Sequence, residues 1–427
     1  MTRAIVAAAL YRPSWEFEGR PAEGPDEDAL TLAVAATELL PHRSGPVDRL
    51  DWVGPSLPGS DWALAEALDL GHLTLRRHVG EPGSLFQALD AAANAPGPGA
   101  SILVVPEGSA PTGGTRTYGA AAAAFLLEEG HGLRPRAHGG RRHPRGDLPD
   151  ASAWTDALEK GSGIAEGGPV RLLVRARTPP PALLVAIGKR WPHAAVETGP
   201  DAIGPLAPGP MIAEARSLHD LAAPAAAPAS VALARIAPDA TVFAGFESTA
   251  PVKWTGRWDE TAPLPRRGAL APAEEPDLRR ALSEGAYVPR PRYLENLGAR
   301  WRLAADRCGA CGNLTFPPRA SCRACGRSDA LTRERLPEAG LVEAVTTVAP
   351  GAQPTEFDAL VASVGAYDVA LVAFAPGARL TLQVADLPAG RLRIGDTVRT
   401  GLRRLYPMDG EWRYGRKALP GGPAPTP

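Results

Sequence analysis

All four cysteines of the chain fall in one segment, DRCGACGNLTFPPRASCRACGRSD. Cys308 and Cys311 form one C-x-x-C knuckle and Cys322 and Cys325 a second, with ten residues between them. Two such knuckles bring four thiolates to the corners of a tetrahedron about 2.3 Å from a single ion, the geometry of a closed structural zinc site. Gly309, Gly312 and Gly326 let the backbone turn tightly around it. A redox dithiol pair or an iron site would use the same residue types, whereas structural disulfides belong to oxidising compartments. The ligand spacing points to Zn2+ held by Cys308, Cys311, Cys322 and Cys325. Four thiolates leave no position open for water or substrate, so this metal holds structure and names no reaction.

A second stretch, HVGEPGSLFQALD at 78–90, has the frame of a catalytic turn feeding a helix. Its reactive side chains are few. Ser84 stands at the helix start, where serine ordinarily caps the helix. His78 lies at a strand end, where a lone histidine ordinarily packs or faces solvent. Glu81 is a turn carboxylate of the kind usually left in water. HGGRRHPRGD at 138–147 has the composition of a phosphate-gripping loop but lacks the strand before and helix after that such a loop requires, so a mobile surface loop is expected there.

The elements that must position these residues begin with length. At 427 residues the chain is expected to hold two or three domains. It is 44% hydrophobic and 22% charged, a globular composition, and no apolar run approaches the roughly 18 residues that span a bilayer. The N-terminal apolar stretch is too short for a signal peptide, so a cytoplasmic location is expected. A formal charge of −1 excludes a global field for nucleic acid or anionic membrane. From Arg290 onward, nineteen Lys and Arg face thirteen Asp and Glu, a mild basic surplus that an ordinary solvated surface also shows.

Strand-like and helix-like segments alternate at first. AIVAAALY, RLDWVGPS, LTLRRHV, ASILVVPE and AAAAAFLLEE read as strands; PDEDALTLAVAATELL, with Asp26 or Asp28 near its start, SDWALAEALDL and GSLFQALDAAANA read as helices. From Val170 a shorter α/β series follows, in which LLVAIGKRW reads as an apolar strand. Residues 255–289 are a Pro/Arg-rich linker or extended arm. RYLENLGARWRLAADRC predicts a helix with Tyr293, Leu294, Leu297 and Trp301 along one side, leading into the cysteine segment. Short strands between Gly and Pro turns then predict a small closed barrel, and 420–427 a disordered tail.

The order of helix, C-x-x-C, FPPR, C-x-x-C, GLVEAVTTV and ALVAFAPGARLTLQV, spanning about Arg290 to Leu419, resembles the acyl-CoA-associated zinc ribbon and OB-fold proteins once grouped as domain of unknown function 35. Their likeness implies a subunit working beside thiolase-fold enzymes and helping to hold the CoA thioester. DEDALTLAVAATELL, LDWVGPS, GEPGSLFQALDAA and RTYGAAAAAFLLEEG, over roughly Thr2 to Gly130, resemble 3-hydroxy-3-methylglutaryl-CoA synthase and ketoacyl-ACP synthase III, both thiolase-fold enzymes. The fold so implied is a thiolase-like layered α/β domain with a shortened second half, then a zinc ribbon and an all-β OB barrel. Its expected units are 1–254 (halves about 1–165 and 166–254), linker 255–289, helix and rubredoxin-like ribbon 290–335, OB-fold 336–419 and tail 420–427.

In the synthases a cysteine at the N-terminus of a buried helix attacks the acyl-CoA carbonyl. Laying that motif on GEPGS puts Gly80 at the nucleophile position. The general-base Glu would fall in VGPSL near Ser56, the Asn near Pro200, and the His after LLVAIGKRW, where there is none. Without a nucleophile, covalent acyl transfer is lost.

The resulting expectation is a non-catalytic accessory subunit of an acyl-CoA-processing complex, partnered by an active thiolase or ketoacyl synthase and offering a site to the CoA thioester. Thiolase-fold proteins pair through their central sheets, which would let the domain scaffold or heterodimerise. Two alternatives remain open at this point. One is an enzyme using non-Cys chemistry, drawing on Ser84, His78 or Glu81. The other is a nucleic-acid-binding module, for which Tyr406, Trp412 and Tyr414 with Arg403, Arg404, Arg413 and Arg416 form the stacking and basic cluster.

Overall fold

The computed structural model describes residues 2–421 apart from 18–19, 42–44, 55–59, 72, 82, 109–110, 113–114, 117–119, 143–150, 163–169, 177–180, 200–209, 222–228, 237–239, 257–287, 376–377 and 409–410. Ser56, Pro200, most of the linker and residues 422–427 of the tail therefore lie outside the described residues, whereas Pro420 ends the last strand and Gly421 bridges to Val398.

The first repeat runs β1 (Arg3–Tyr11), a small hairpin β2 (Trp15–Phe17) and β3 (Arg20–Ala22), α1 (Ala29–Glu38), β4 (Val47–Val53), α2 (Ser60–Leu68), β5 (Thr74–His78), α3 (Ser84–Ala93), β6 (Ala100–Glu107), a second hairpin β7 (Pro111–Thr112) and β8 (Thr115–Arg116), and β9 (Ala121–Glu129). The second runs β10 (Leu133–Arg142), α4 (Ala151–Ser162), β11 (Val170–Ala176), α5 (Pro181–Arg190), β12 (Ala195–Gly199), α6 (Pro210–Leu221), β13 (Ala229–Ile236) and β14 (Ala240–Ser248). The strands lie in the order β5-β4-β6-β9-β1 in the first repeat and β12-β11-β13-β14-β10 in the second. These are the same order when each repeat is numbered from its own first strand. In both, the last strand runs antiparallel to its neighbours. A single antiparallel register pair, Ile5↔Leu133, joins the repeats through β1 and β10, and β15 (Lys253–Gly256) adds alongside β1.

The second repeat thus keeps the same main strands and helices as the first, with fewer residues from its first strand to its last. Its first strand begins at Leu133, so the topological division falls near 130 and not at 165. Part of HGGRRHPRGD belongs to that strand: His138, Gly139 and Gly140 pair with Ala244, Phe243 and Val242. The expected surface loop is corrected to a sheet ladder as far as Arg142; 143–147 lie outside the described residues. LLVAIGKRW is corrected too, since it forms α5, with Leu183 and Ile187 buried four residues apart. A short apolar run suits either element, and here the 3.6-residue period decided.

Three apolar cores explain the layering. α3 and α6 lie in the middle, where Leu85, Phe86 and Leu89 of one and Ile212, Ala215 and Leu218 of the other share a core with strands of both repeats. α1 and α2 cover the outer face of the first repeat through Leu32, Val34 and Leu64. α4 and α5 cover the second through Trp154, Leu158 and Ile187. Strand residues alternate between cores: Leu103 and Val105 face the central helices, Ile102 and Val104 face α1 and α2. Burial on both faces is why these strands read as continuous apolar runs. Each fully buried Leu or Phe contributes about 1.5–3 kcal/mol. Arg3, 1% exposed, ties the start of β1 to the end of α3 by donating to the carbonyls of Ala92, Ala95, Gly97 and Gly99.

After residue 287 the predicted single helix is two short ones, α7 (Arg290–Glu295) and α8 (Leu297–Arg302), joined at Asn296. Tyr293, Leu297 and Trp301 are buried while Leu294 stays exposed. The ribbon follows as β16 (Ala304–Cys308), β17 (Leu314–Thr315) and β18 (Leu331–Arg335). The last unit has β19 (Ala339–Val348), the 3-10 turn η1 (Thr355–Phe357), α9 (Asp358–Val364), β20 (Tyr367–Ala375), β21 (Ala378–Gln383), β22 (Thr397–Met408) and β23 (Glu411–Pro420). Its five strands pair in the order β21-β20-β19-β22-β23, and a bridge from Val384 to Ala418 closes β21 onto β23. Such a small closed five-stranded barrel is an OB-fold.

Candidate functional site

The four cysteine sulfurs lie within 4.8 Å of one another. Two equivalent turns place them. Gly312 N–H donates to Cys308 O at 2.8 Å and Gly326 N–H to Cys322 O at 3.0 Å. Both glycines have positive φ, +74° and +76°, where a side chain would be strained. Cys308 and Cys322 are buried, Cys311 and Cys325 exposed. The backbone N–H of Cys325 draws the Cys322 thiol down to about 6. Cys311 is pushed up to about 12: the Asn313 N–H favours its thiolate, but hydrogen bonding to Cys325, burial and hydrogen bonding to Cys322 and Cys308 outweigh it. Four sulfurs this close cannot all ionise without a cation between them, so the donor set fits a metal.

The turn between β5 and α3 is built for packing. Gly83 sits at φ +87° as the residue before α3. Gly80 is closely approached on one side, where a Cβ would meet Gly54 Cα and Met211 Cε, each at 3.1 Å, so that these neighbours would have to give by a few tenths of an ångström. Met211 belongs to the first turn of α6, so the second repeat packs beside the turn at Gly80. Ser84 is 6% exposed, and its hydroxyl accepts the Glu81 N–H at 3.1 Å. It acts as a turn-stabilising acceptor, and Glu81 itself is exposed. His78 Nε2 lies 2.7 Å from Asp51 Oδ1, and Asp51 is also held by Arg49. His78 thereby links β5 to β4.

Two carboxylates missed in the sequence dominate this region. Glu214, 0% exposed and on α6, accepts the Gly83 N–H at the start of α3, 2.8 Å away. Glu107, at the end of β6, accepts the N–H groups of Ile212 at 2.9 Å and Met211 at 3.4 Å at the start of α6. Each central helix is thus capped by an acid from the opposite repeat. Burial raises Glu107 to about 7, against the pull of those two N–H groups and of Arg235. The N–H groups at these two helix starts are thus bonded by the protein's own carboxyl groups and are not free to hold another anion. Their only trace in the sequence is Glu in otherwise apolar segments, VVPE and MIAEA.

The basic and aromatic cluster read as a nucleic-acid surface is the seam between the barrel and the first repeat. Arg403, 0% exposed, pairs with Glu27 at 3.0 Å and Asp386 at 3.2 Å, and Lys417 with Asp26 at 3.0 Å. Arg416 pairs with Glu38 at 2.5 Å. Tyr414 donates its hydroxyl to Asp28 at 2.8 Å, and Asp28 also caps α1 through Thr31 N–H. Arg404 lies over the Trp412 ring and donates to Pro25 O. Arg413 is 1% exposed, and Tyr406 packs edge-on against Phe357. Arg403, Arg413, Arg416 and Tyr414 are thus committed to protein acids, which takes most of the cluster away from the nucleic-acid reading built on it. The complement was visible in the sequence as PDEDAL, the acidic start of α1. Nearby, Trp301 stacks on Trp62 of α2, and Arg302 pairs with Glu66 at 3.3 Å.

The strand order and layering define a thiolase-like domain joined to a zinc ribbon and an OB barrel. Residues 297–332 match the family model of the ChsH2 rubredoxin-like zinc ribbon domain. Two curated relatives are each a DUF35 domain-containing scaffold protein, from Methanothermobacter thermautotrophicus and Methanocaldococcus jannaschii. Each is 29% identical over 131 residues, or 30% of this chain, covering 94% and 89% of the relative respectively. Among solved structures, PksG, an HMG-CoA synthase from Bacillus subtilis, is 13% identical with a TM-score of 0.42, covering 58% of this chain and 80% of its own. The Ltp2-ChsH2(DUF35) aldolase is 22% identical with a TM-score of 0.23, covering 33% of this chain and 98% of that one. No helix among the described residues is long and apolar enough to cross a membrane.

Proposed function

We propose that this chain is a non-catalytic scaffold subunit of an acyl-CoA-processing thiolase or C-acyltransferase complex. The observation that carries the reading is the occupied centre of the thiolase-like domain. Met211 packs against Gly80, the residue on which the resemblance lays the nucleophile, and the starts of α3 and α6 are capped by Glu214 and Glu107. The partner is a thiolase-fold enzyme that supplies the missing cysteine. The domain meets it through β5, whose Thr74–Arg77 are exposed and which pairs only with β4 among the described residues. An open strand edge of this kind is a template for another sheet. The ribbon holds structural Zn2+ on Cys308, Cys311, Cys322 and Cys325, and the barrel presents the CoA thioester. The working units are the thiolase-like domain to about 254, the ribbon at 290–335 and the barrel at 336–419. Four free thiols suit the reducing cytoplasm.

Affinity capture of the tagged full chain from its native cells, followed by mass spectrometry, tests this. A thiolase-fold protein with an intact cysteine at stoichiometric yield is the expected result. A homo-oligomer without such a partner, or turnover of an acyl-CoA by the purified chain well above background, overturns it.

A further inference from the structure

The edge strand β5 exposes a charge that its neighbour does not neutralise. β5 runs parallel to β4, with Leu75 beside Leu50, Arg76 beside Asp51, Arg77 beside Trp52 and His78 beside Val53. Leu50 and Trp52 pack under α1 and α2, so Leu75 and Arg77 share that face. Val53 packs toward the central helices, and Arg76 lies on that opposite face with His78 and Asp51. Asp51 is buried and already holds Arg49 and His78. Arg76 is exposed, as are Thr74, Leu75 and Arg77. Val79, just past the strand, is 74% exposed.

Two sheets that join edge to edge with their helical layers aligned set residues of the same face opposite one another. For β5 against an antiparallel copy of itself, the register that pairs all five residues puts Arg76 opposite Arg76 and Leu75 opposite Arg77. The next registers pair only Thr74–Arg76 or Arg76–His78, and the latter sets Arg77 against Arg77. Like charges directly opposite destabilise a ladder, so self-pairing is penalised where it would be longest. The open backbone edge and Leu75 still offer themselves to a strand. A strand with Asp or Glu opposite Arg76 turns the same position into an attraction.

We propose that Arg76 selects the occupant of the β5 edge: a different thiolase-fold chain whose antiparallel edge strand carries Asp or Glu opposite Arg76. This rests on the scaffold reading for the partner's fold, but not for its charge. The partner's own copies are held apart by the same rule, acid against acid, so the mixed pair is favoured over either self-pair.

Sedimentation velocity of the full-length chain, with its own charge-reversed copy Arg76→Glu as the probe, is the test. Wild type alone and Arg76→Glu alone should stay monomeric, while their mixture should associate at least about tenfold more tightly than either. The difference should fade between about 0.05 and 0.5 M salt, because the charges are exposed and screened. Arg76→Gln removes the charge without adding an acid beside Asp51, which covers the case that Arg76→Glu misfolds. It should self-associate more tightly than wild type. A wild-type chain that dimerises as tightly as the mixture, a mixture no tighter than either component, or Arg76→Gln no tighter than wild type overturns the selection by charge. A stoichiometric thiolase-fold partner captured equally by wild type and Arg76→Glu sinks this inference alone. Charge-dependent pairing of the mixture with no such partner in the native cells sinks the scaffold reading alone.

Discussion

The carboxylate of Glu214 accepts the backbone N–H of Gly83 across 131 positions of sequence. One acid from the second repeat thereby closes the start of a helix in the first. Glu107 does the same in the opposite direction for α6.

Placing a cysteine at Gly80 should not create acyl-transfer chemistry. In Gly80→Cys the new side chain meets Gly54 and Met211, so the fold should lose about 1–3 kcal/mol. The helix start that follows is already bonded by the Glu214 carboxyl, so it offers little stabilisation to a thiolate. Intact-mass spectrometry after incubation with acetyl-CoA should show no acyl adduct. An adduct on the introduced thiol would mean that the centre is open after all.

Glu107 makes stability depend on pH. Its carboxyl is raised to about 7 in the folded chain from an ordinary value of 4.5. The folded state therefore keeps a proton that the unfolded state has already released. Stability falls as pH rises from about 4.5 through 7, by up to about 3 kcal/mol. Glu107→Gln should flatten that part of the profile and melt higher than wild type at pH 8. Glu27, also raised to about 7 by burial, should leave a residual slope in the same window. Denaturant unfolding between pH 4.5 and 8.5 measures both.

The seam should fail from either side. Arg403→Ala leaves Glu27 and Asp386 buried without their cation, a loss of about 3–5 kcal/mol. Tyr414→Phe removes one hydrogen bond to a carboxylate, about 1.5–3 kcal/mol. Urea unfolding should rank the two in that order. Filter binding with single-stranded DNA at low salt should show nothing specific to Arg403, Arg413 or Arg416, because they are already committed to protein.

The ribbon should depend on its metal. One zinc per chain is expected by elemental analysis, and Cys311→Ser or Cys325→Ser should abolish it. Stripping the metal should unfold 304–335 locally, since that sheet has only three short strands around Ala305 and Leu314. Retention of the ribbon's amide protection from hydrogen exchange after stripping would rule out a structural metal.

Much of the fold was legible in local pattern. Apolar runs, helix periodicity and turn residues placed β1, α1, β4 and α3, and Asp28 caps α1 as one of two acids read near its start. LLVAIGKRW was not legible, because a short apolar run suits both elements until Leu183 and Ile187 meet a neighbouring layer. Nor was the start of the second repeat, since Leu133–Arg142 carries Gly, Pro and several Arg and becomes a strand only through its pairing with β14.

The sequence by itself determined what is local or compositional. Its cysteines have the spacing of one four-thiolate site, and its strands alternate with helices before giving way to a barrel. Only the tertiary structure decided which charges meet. Arg403 and Arg416 looked like a surface for polyanions until Glu27 and Glu38, some 380 positions away, were folded against them. Glu107 and Glu214 looked like ordinary acids until the doubled fold set each against a helix start in the other repeat. Coulomb energy and desolvation depend on distance and burial, which sequence separation does not encode.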